Sequence, residues 1–189
     1  MFKKVFTLII LISALLCSNM GFSQDNYKLM SSSLFKVSGT STLKDWDMNT
    51  KKADGKAKVE VKNERLIDIK SLVVVLKGET LESGNSGMNS NAYKALKTKE
   101  HPFIKFKLKE VLAVRSNSMR IRGDFTVAGE TRTQTFNVRT GVSNSHITIS
   151  GDFDILFSDY NMTPPTALFG SVKTGNELTI SFSTKFGRE

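Results

Sequence analysis

The chain has 189 residues, with 27 basic and 18 acidic side chains, one cysteine and two histidines. One cysteine cannot form an intramolecular disulfide, and without a closely spaced histidine pair the usual ligands of a transition-metal site are missing. The formal net charge of +9 bears on solubility and on contacts with acidic partners rather than on the fold.

The N-terminus has the plan of a secretory signal peptide. Lys3 and Lys4 precede an apolar run over residues 5–16, and residues 21–23 supply a small-x-small cleavage pattern. The run is shorter than the roughly 20 residues that a membrane-spanning helix needs, which disfavours an uncleaved anchor. We predict a signal peptide over residues 1–23 that is cleaved near residues 23 and 24.

The mature chain, residues 24–189, is then expected to form one domain in the periplasm or outside the cell. Cys17 leaves with the signal peptide, so the mature chain has no thiol. Lipid attachment at Cys17 is an alternative mode of targeting, which the bulky neighbour Leu16 disfavours. The mature net charge of +7 favours contact with an anionic membrane surface.

From residue 35 onward, apolar and polar residues alternate along most of the chain, the pattern of strands with one buried face. In one run Ala57, Val59 and Val61 fall on one face, and the charged residues between them fall on the other. The apolar faces are expected to share one interior, which assigns the chain to the all-β class. Eight strands are predicted: 35–41, 55–62, 66–77, 103–114, 118–127, 131–140, 146–157 and 177–186.

Two features interrupt the alternation. The inward register changes between Ile69 and Leu72, which predicts a β-bulge and a bend near Lys70. Gly123 and Gly151 occupy inward positions where a filled core would place large side chains. These glycines either leave room inside or relieve a bend in the strand.

One segment, residues 88–97, predicts a short helix, because Met88, Ala92 and Leu96 recur at four-residue spacing. A second irregular segment, residues 158–175, contains two adjacent prolines that cannot donate to a strand ladder. Both segments are expected at the mouth of a barrel.

Four stretches, spread in order over nearly the whole mature chain, carry a resemblance to a known family. They are 41–48 (STLKDWDM), 93–106 with YKALK and HPFIKF, 121–131 (IRGDFTVAGET), and 162–175 with MTPP and FGSVKTG. Together they resemble the YceI-like family of secreted, lipocalin-like proteins. The resemblance implies an extended eight-stranded antiparallel barrel with a short helix over one end.

The resemblance also implies an elongated apolar tunnel for an isoprenoid chain, such as a polyprenyl alcohol or the tail of a quinone. It implies no catalytic residues and no cofactor other than such a bound lipid. Many members have histidine where this chain has Lys44. A fixed positive charge there suits a phosphate or carboxylate better than a quinone carbonyl.

Twelve residues in the inward register or near the expected loops are predicted to line this tunnel and its mouth. They are Trp46, Met88, Tyr93, Leu96, Phe106, Ile121, Phe125, Phe153, Phe157, Met162, Phe169 and Phe182. The alternative is a barrel whose aromatic residues fill a packed core and whose exterior loops serve a structural or surface-interaction role. An eight-stranded barrel permits both.

The sequence shows no pattern typical of catalysis, metal binding or nucleic-acid binding. His101 and His146 each precede a strand and have no partner motif, so neither is assigned a catalytic or metal-binding role. The basic strand faces carry few aromatic residues that would stack on bases, which disfavours nucleic-acid binding. We therefore predict a non-enzymatic binding protein. Its partners are an apolar ligand and, as candidates, an anionic membrane surface and a second copy of the chain.

Export is expected to leave a protein that starts at Gln24 or Asp25. Intact-mass measurement of the protein recovered from its own host checks this start. A mass that retains residues 1–20, or a diacylated chain beginning at Cys17, would contradict a soluble, cleaved product.

Overall fold

The structure is a computed structural model that describes residues 24–189. The predicted signal peptide and Cys17 lie outside the described residues. Within them are eleven strands, one α-helix and three 3-10 turns. The strands are β1 (Gln24–Leu29), β2 (Leu34–Ser41), β3 (Trp46–Thr50), β4 (Ala53–Lys62), β5 (Arg65–Lys77), β6 (Phe103–Arg115), β7 (Ser118–Val127), β8 (Glu130–Val142), β9 (His146–Leu156), β10 (Thr166–Ala167) and β11 (Val172–Arg188). The helix is α1 (Ser86–Ala95), and the 3-10 turns are Gly78–Thr80, Ser158–Tyr160 and Leu168–Gly170.

Eight antiparallel strands close a barrel in the order β1-β4-β5-β6-β7-β8-β9-β11. β1 closes it, because its residues pair with β4 on one side and with the last residues of β11 on the other. Residues 174–183 of β11 pair with β2, residues 172–173 pair with β10, and β3 pairs with the other edge of β2. The predicted all-β fold with an eight-stranded barrel and one short helix is confirmed.

All eight predicted strands are present, as β2, β4 to β9 and β11, but they are not the eight strands of the closed barrel. The edge of β11 that faces away from β9 is shared by two strands. β1 pairs with one end of this edge and β2 pairs with the rest. β1 escaped prediction because its sequence, QDNYKL, has only two apolar residues, Tyr27 and Leu29. β3 and β10 are too short to show a clear alternation.

The bend predicted near Lys70 is confirmed. Ser71 pairs with Lys58 and Ile69 with Val59, which leaves Lys70 as the extra residue of a β-bulge. Its Nζ atom lies 2.7 Å from Asp68 and 3.2 Å from Glu60. Hydrogen bonds to these two carboxylates raise the pKa of Lys70.

Helix α1 begins two residues before the predicted start at residue 88, because the Asn85 side chain accepts a hydrogen bond from the Met88 backbone at 2.9 Å. It ends at Ala95, two residues before the predicted end, and Lys97 adopts a left-handed φ of 51°. None of the helices in residues 24–189 is long and apolar enough to cross a membrane.

The two ends of the barrel differ. One end, the mouth end, carries α1 and the segments 41–46 and 157–172, whereas among residues 24–189 the far end carries the start of β1 and the turns around residues 63–64, 116–117 and 143–145. A tightly packed core fills the far half of the barrel. Its fully buried members include Val59, Met119, Val138, Ile147 and Phe186.

Replacement of Ile147 by alanine is expected to lower the free energy of unfolding by about 2–5 kcal/mol, because this fully buried side chain leaves a cavity in the far-half core. Chemical denaturation measures the loss. The control is Val114→Ala at the far end, where the side chain is half exposed and the cost should be about 0.5 kcal/mol or less. Equal losses in the two variants would contradict a packed far half.

Candidate functional site

A cavity of about 680 Å³ extends from the mouth end of the barrel to the edge of the far-half core. Its walls are the inward faces of the strands, and at the mouth end it is lined by Met88 and Ala92 of α1 and by Leu96, which directly follows the helix. Ligand pockets in proteins typically have volumes of roughly 300–1,000 Å³, so the space is of the size that holds one small molecule.

The cavity is elongated along the barrel axis. On β7 its wall runs from Val127 at the mouth end to Ile121, six residues further on, or about 20 Å at 3.3 Å per residue. On β11 it reaches as deep as Phe186. The far-half core, with Met119 and Ile147, lies beyond the lining and forms the floor.

Ten of the twelve candidate residues line this cavity. They are Trp46, Met88, Leu96, Phe106, Ile121, Phe125, Phe153, Phe157, Met162 and Phe182. The structure therefore brings together residues that are spread over 137 positions of sequence, from Trp46 to Phe182.

Tyr93 and Phe169 do not line it. The Tyr93 ring packs against the buried cluster of Met48 and Leu81, and its hydroxyl donates a hydrogen bond to the Leu81 carbonyl at 2.8 Å. Burial raises the pKa of Tyr93. The Phe169 side chain is fully exposed on a left-handed backbone, with φ of 55°.

Phenylalanine rings form a contiguous cluster along the cavity wall. Phe136 stacks on Phe153 with ring centres 4.4 Å apart, and Phe153 meets Phe125 edge to face at 5.3 Å. Phe106 and Phe182 contact the other sides of Phe136 at 5.6 Å and 6.0 Å. Such pairs contribute roughly 0.5–1.5 kcal/mol each beyond their burial, so the cluster holds the wall in one arrangement.

Sequence reasoning missed several lining residues, including Phe35, Phe136 and Ile180. Phe136 is the most central of them. Phe136 and Val138 stand two positions apart in β8, so they share one face of the strand, and both side chains are buried. The same period-two pattern that identified Phe125 and Phe153 was therefore present around Phe136.

Trp46 lines the cavity mouth, and its indole ring lies against Gly39. The indole Nε1 donates a hydrogen bond to the Thr40 carbonyl at 3.0 Å. A Cβ atom on Gly39 would lie 2.5 Å from the Trp46 ring and 3.2 Å from Leu178. Gly39 thus lets the indole lie flat against β2.

The two inward glycines noted in the sequence have the same role. A Cβ atom on Gly123 would lie 2.4 Å from the Phe106 ring, and one on Gly151 would lie 2.9 Å from the Asn137 carbonyl oxygen and 3.2 Å from the Phe182 ring. Gly123 also lies next to a bulge in β6, where Lys109 is unpaired between Leu108 and Glu110. The space beside these glycines is occupied by aromatic rings, and at Gly123 the bend is present as well.

Polar groups are confined almost entirely to the mouth. Deep in the cavity, Thr184 is buried, and its hydroxyl donates to the Ile149 carbonyl at 2.6 Å. In residues 24–189, every buried side-chain nitrogen or oxygen has a hydrogen-bond partner. At the mouth, Lys44, Asp45 and Asp47 are exposed and line the opening. Among the described residues, the interior therefore offers mainly apolar surface, and Lys44, Asp45 and Asp47 place charge at the mouth.

Neither histidine lies at the cavity. The His101 ring rests against Gly129 at the mouth end, outside the lining, and His146 contacts Ser145 at the far end. Among the described residues there is no group of three or more histidine, cysteine, aspartate or glutamate side chains that would hold a metal ion.

Comparison with known proteins gives a family and a fold. The sequence model of the YceI-like domain matches residues 18–186. A search of curated protein sequences found no significant match.

Solved structures with the same fold include BcnA from Burkholderia cenocepacia, at 16% identity and a TM-score of 0.70, with 83% of this chain and 98% of BcnA covered. A polyisoprenoid binding domain from Saccharophagus degradans, implicated in plant cell wall breakdown, is 10% identical, with a TM-score of 0.68 over 88% of this chain and all of that domain. The YceI protein of Campylobacter jejuni is 17% identical, with a TM-score of 0.59 over 73% of this chain and 84% of its own.

Replacement of Gly39 by alanine is expected to displace the Trp46 indole, because the new methyl group and the ring cannot share the space. Trp46 is the only tryptophan in the chain, so its fluorescence spectrum reports the displacement directly. The control is Gly187→Ala on the same barrel, where the new Cβ would meet Met30 at an ordinary 3.6 Å. An unchanged emission maximum in Gly39→Ala, with the control also unchanged, would show that the indole does not lie against β2.

Proposed function

The chain belongs to the YceI-like family, and from this premise we propose that it binds an apolar lipid non-covalently, with an isoprenoid tail inside the barrel. The observation that carries the proposal is the elongated cavity of about 680 Å³, whose deep walls are apolar. The structural neighbour from Saccharophagus degradans is described as a polyisoprenoid binding domain, which supports the same class of ligand.

The distribution of polar groups supports a tail-in, head-out orientation. Moving a hydroxyl or amide from water to an apolar site without a hydrogen bond costs roughly 2–7 kcal/mol. The one polar side chain deep in the cavity, among the described residues, is Thr184, and its hydroxyl already donates to the Ile149 carbonyl. A ligand head group is therefore stable only at the mouth, where it meets water and the charged side chains.

Lys44 gives the mouth a preference for anionic head groups in this proposal. It lines the opening, and within the described residues its ammonium group forms no ion pair or hydrogen bond. A free, fixed positive charge attracts a phosphate or carboxylate more than a neutral quinone carbonyl. Asp45 and Asp47 lie on the same side, so the preference should be moderate.

The proposed activity is carriage rather than catalysis. A packed-core barrel that works only through its exterior loops accounts less well for an open interior of this size. A lipid-modifying enzyme would need a titratable group beside the bound chain, and the deep wall offers phenylalanine, leucine, isoleucine and valine side chains instead. The basic and apolar leader in the sequence supports a periplasmic or secreted site of action.

Replacement of Val74 by phenylalanine is expected to weaken binding of farnesol more than tenfold, because Val74 lines the cavity and the larger ring would occupy ligand space. Quenching or shift of Trp46 fluorescence during titration measures the affinity. The matched control is Val73→Phe, the neighbouring valine of the same strand, whose side chain is exposed on the outer face.

Circular dichroism must show that both variants keep the barrel. If Val74→Phe is folded and binds farnesol as tightly as the wild type, the ligand does not occupy the cavity. If the wild type binds neither farnesol nor the longer geranylgeraniol, the proposed ligand class is wrong.

A further inference from the structure

Three large apolar side chains on two neighbouring loops of the mouth end point into solvent. Leu43 and Leu168 are each 69% exposed, and Phe169 is completely exposed. Leu43 and Leu168 also line the opening of the cavity. The two segments that carry them, residues 42–44 and 166–173, are called the mouth rim below.

Hydrogen bonds join the two segments of the mouth rim into one unit. The Thr42 backbone donates to the Lys173 carbonyl at 2.9 Å, and the Lys173 backbone donates to the Thr42 hydroxyl at 3.1 Å. The Thr42 hydroxyl also lies 3.4 Å from the Ser171 carbonyl. The apolar side chains are therefore presented by a fixed structure.

The backbone itself holds the two apolar residues outward at a cost. Leu168 and Phe169 have φ values of 50° and 55°, in the left-handed region that bulky residues rarely adopt. Such strained conformations tend to occur at functional sites. Two consecutive large apolar residues are thus held in strained conformations with their side chains in water.

Charge and area favour a lipid surface over a protein partner. Lys44 and Lys173 are exposed, and neither rim segment contains an acidic residue. Asp45 and Asp47 follow closely, so apolar insertion rather than attraction of opposite charges should supply most of the binding. Three side chains of this size also offer less than the roughly 800 Å² per partner that a stable protein interface buries.

We propose that the mouth rim inserts into the surface of an anionic lipid bilayer and docks the open end of the barrel there. The proposal of docking depends only on the features of the mouth rim. Only its consequence, that the ligand passes between cavity and bilayer without crossing water, rests on the proposed lipid-binding function.

Flotation with vesicles of phosphatidylethanolamine and phosphatidylglycerol tests the docking, using the mature chain without added ligand. Phe169→Asn should lower the partition coefficient about tenfold, because the variant lacks the phenyl ring that would insert into the bilayer. Asparagine is chosen because it tolerates the left-handed backbone at this position. Leu168→Asn combined with Phe169→Asn should lower it further. Val114→Thr, which changes a half-exposed valine at the far end, should leave it unchanged.

The lysines provide a second arm. Lys44→Gln and Lys173→Gln should each weaken binding to the anionic vesicles about fivefold and leave binding to phosphatidylcholine vesicles unchanged. Docking is overturned if the wild type does not float with anionic vesicles, or if Phe169→Asn floats as well as Val114→Thr does. It is also overturned if the rim proves to join two copies, seen as a dimer without vesicles that Phe169→Asn converts to a monomer.

Farnesol titration separates this proposal from the function on which its consequence rests. Phe169 lies outside the cavity lining, so Phe169→Asn should keep wild-type affinity for farnesol while it loses the vesicles. If the wild type floats with vesicles and does not bind farnesol, docking stands and lipid carriage fails.

Discussion

Closure of the sheet by β1 and β11 is the constraint on which the rest of the structure depends. Once the sheet is closed, every second side chain of a strand must point inward, and no inward residue has an alternative environment. β11 makes the closure possible because its 17 residues span the whole barrel. It pairs with β1 at the far end and with β2 at the mouth end, so the two halves of the barrel have different partners in the eighth position.

The two halves are also filled differently. Branched aliphatic side chains such as Val59 and Ile147 pack the far half, whereas aromatic rings form part of the cavity wall. The rings of Trp46, Phe106 and Phe182 each occupy space that a side chain at an inward glycine would need. Because Gly39, Gly123 and Gly151 let the rings lie back against the strands, the centre of the mouth half stays open. The glycines therefore enlarge the cavity indirectly, by giving the rings a place outside it.

The same arrangement explains which features the sequence could predict. Long strands such as β7 and β9 alternate over ten or more residues, so their existence, their inward faces and half of the candidate lining residues followed from the period-two alternation. The bulge at Lys70 was predictable because the apolar register itself changes there. β1 was not predictable, since Tyr27 and Leu29 are buried only through pairing with strands far away in sequence.

The candidate site was harder to predict where loops are involved. Tyr93 and Phe169 stand in segments without strand periodicity, and for such residues the sequence does not tell which way a side chain points. The local backbone decides: a helical turn directs Tyr93 toward the Leu81 carbonyl, and a left-handed φ turns Phe169 outward. The role of the inward glycines could not be read from the sequence for a related reason. The ring that fills the space beside each glycine comes from another strand.

The central claim is that a lipid tail lies along the axis of the mouth half, with its end near the far-half core. Photo-crosslinking with a prenyl probe that carries a diazirine at the tail end tests this most directly, with peptide mapping of the labelled sites. Labelling is expected at the deep lining residues Ile121, Ile149 and Phe186. Labelling concentrated on outward residues such as Val73 or Phe103, with the deep residues unlabelled, would contradict it.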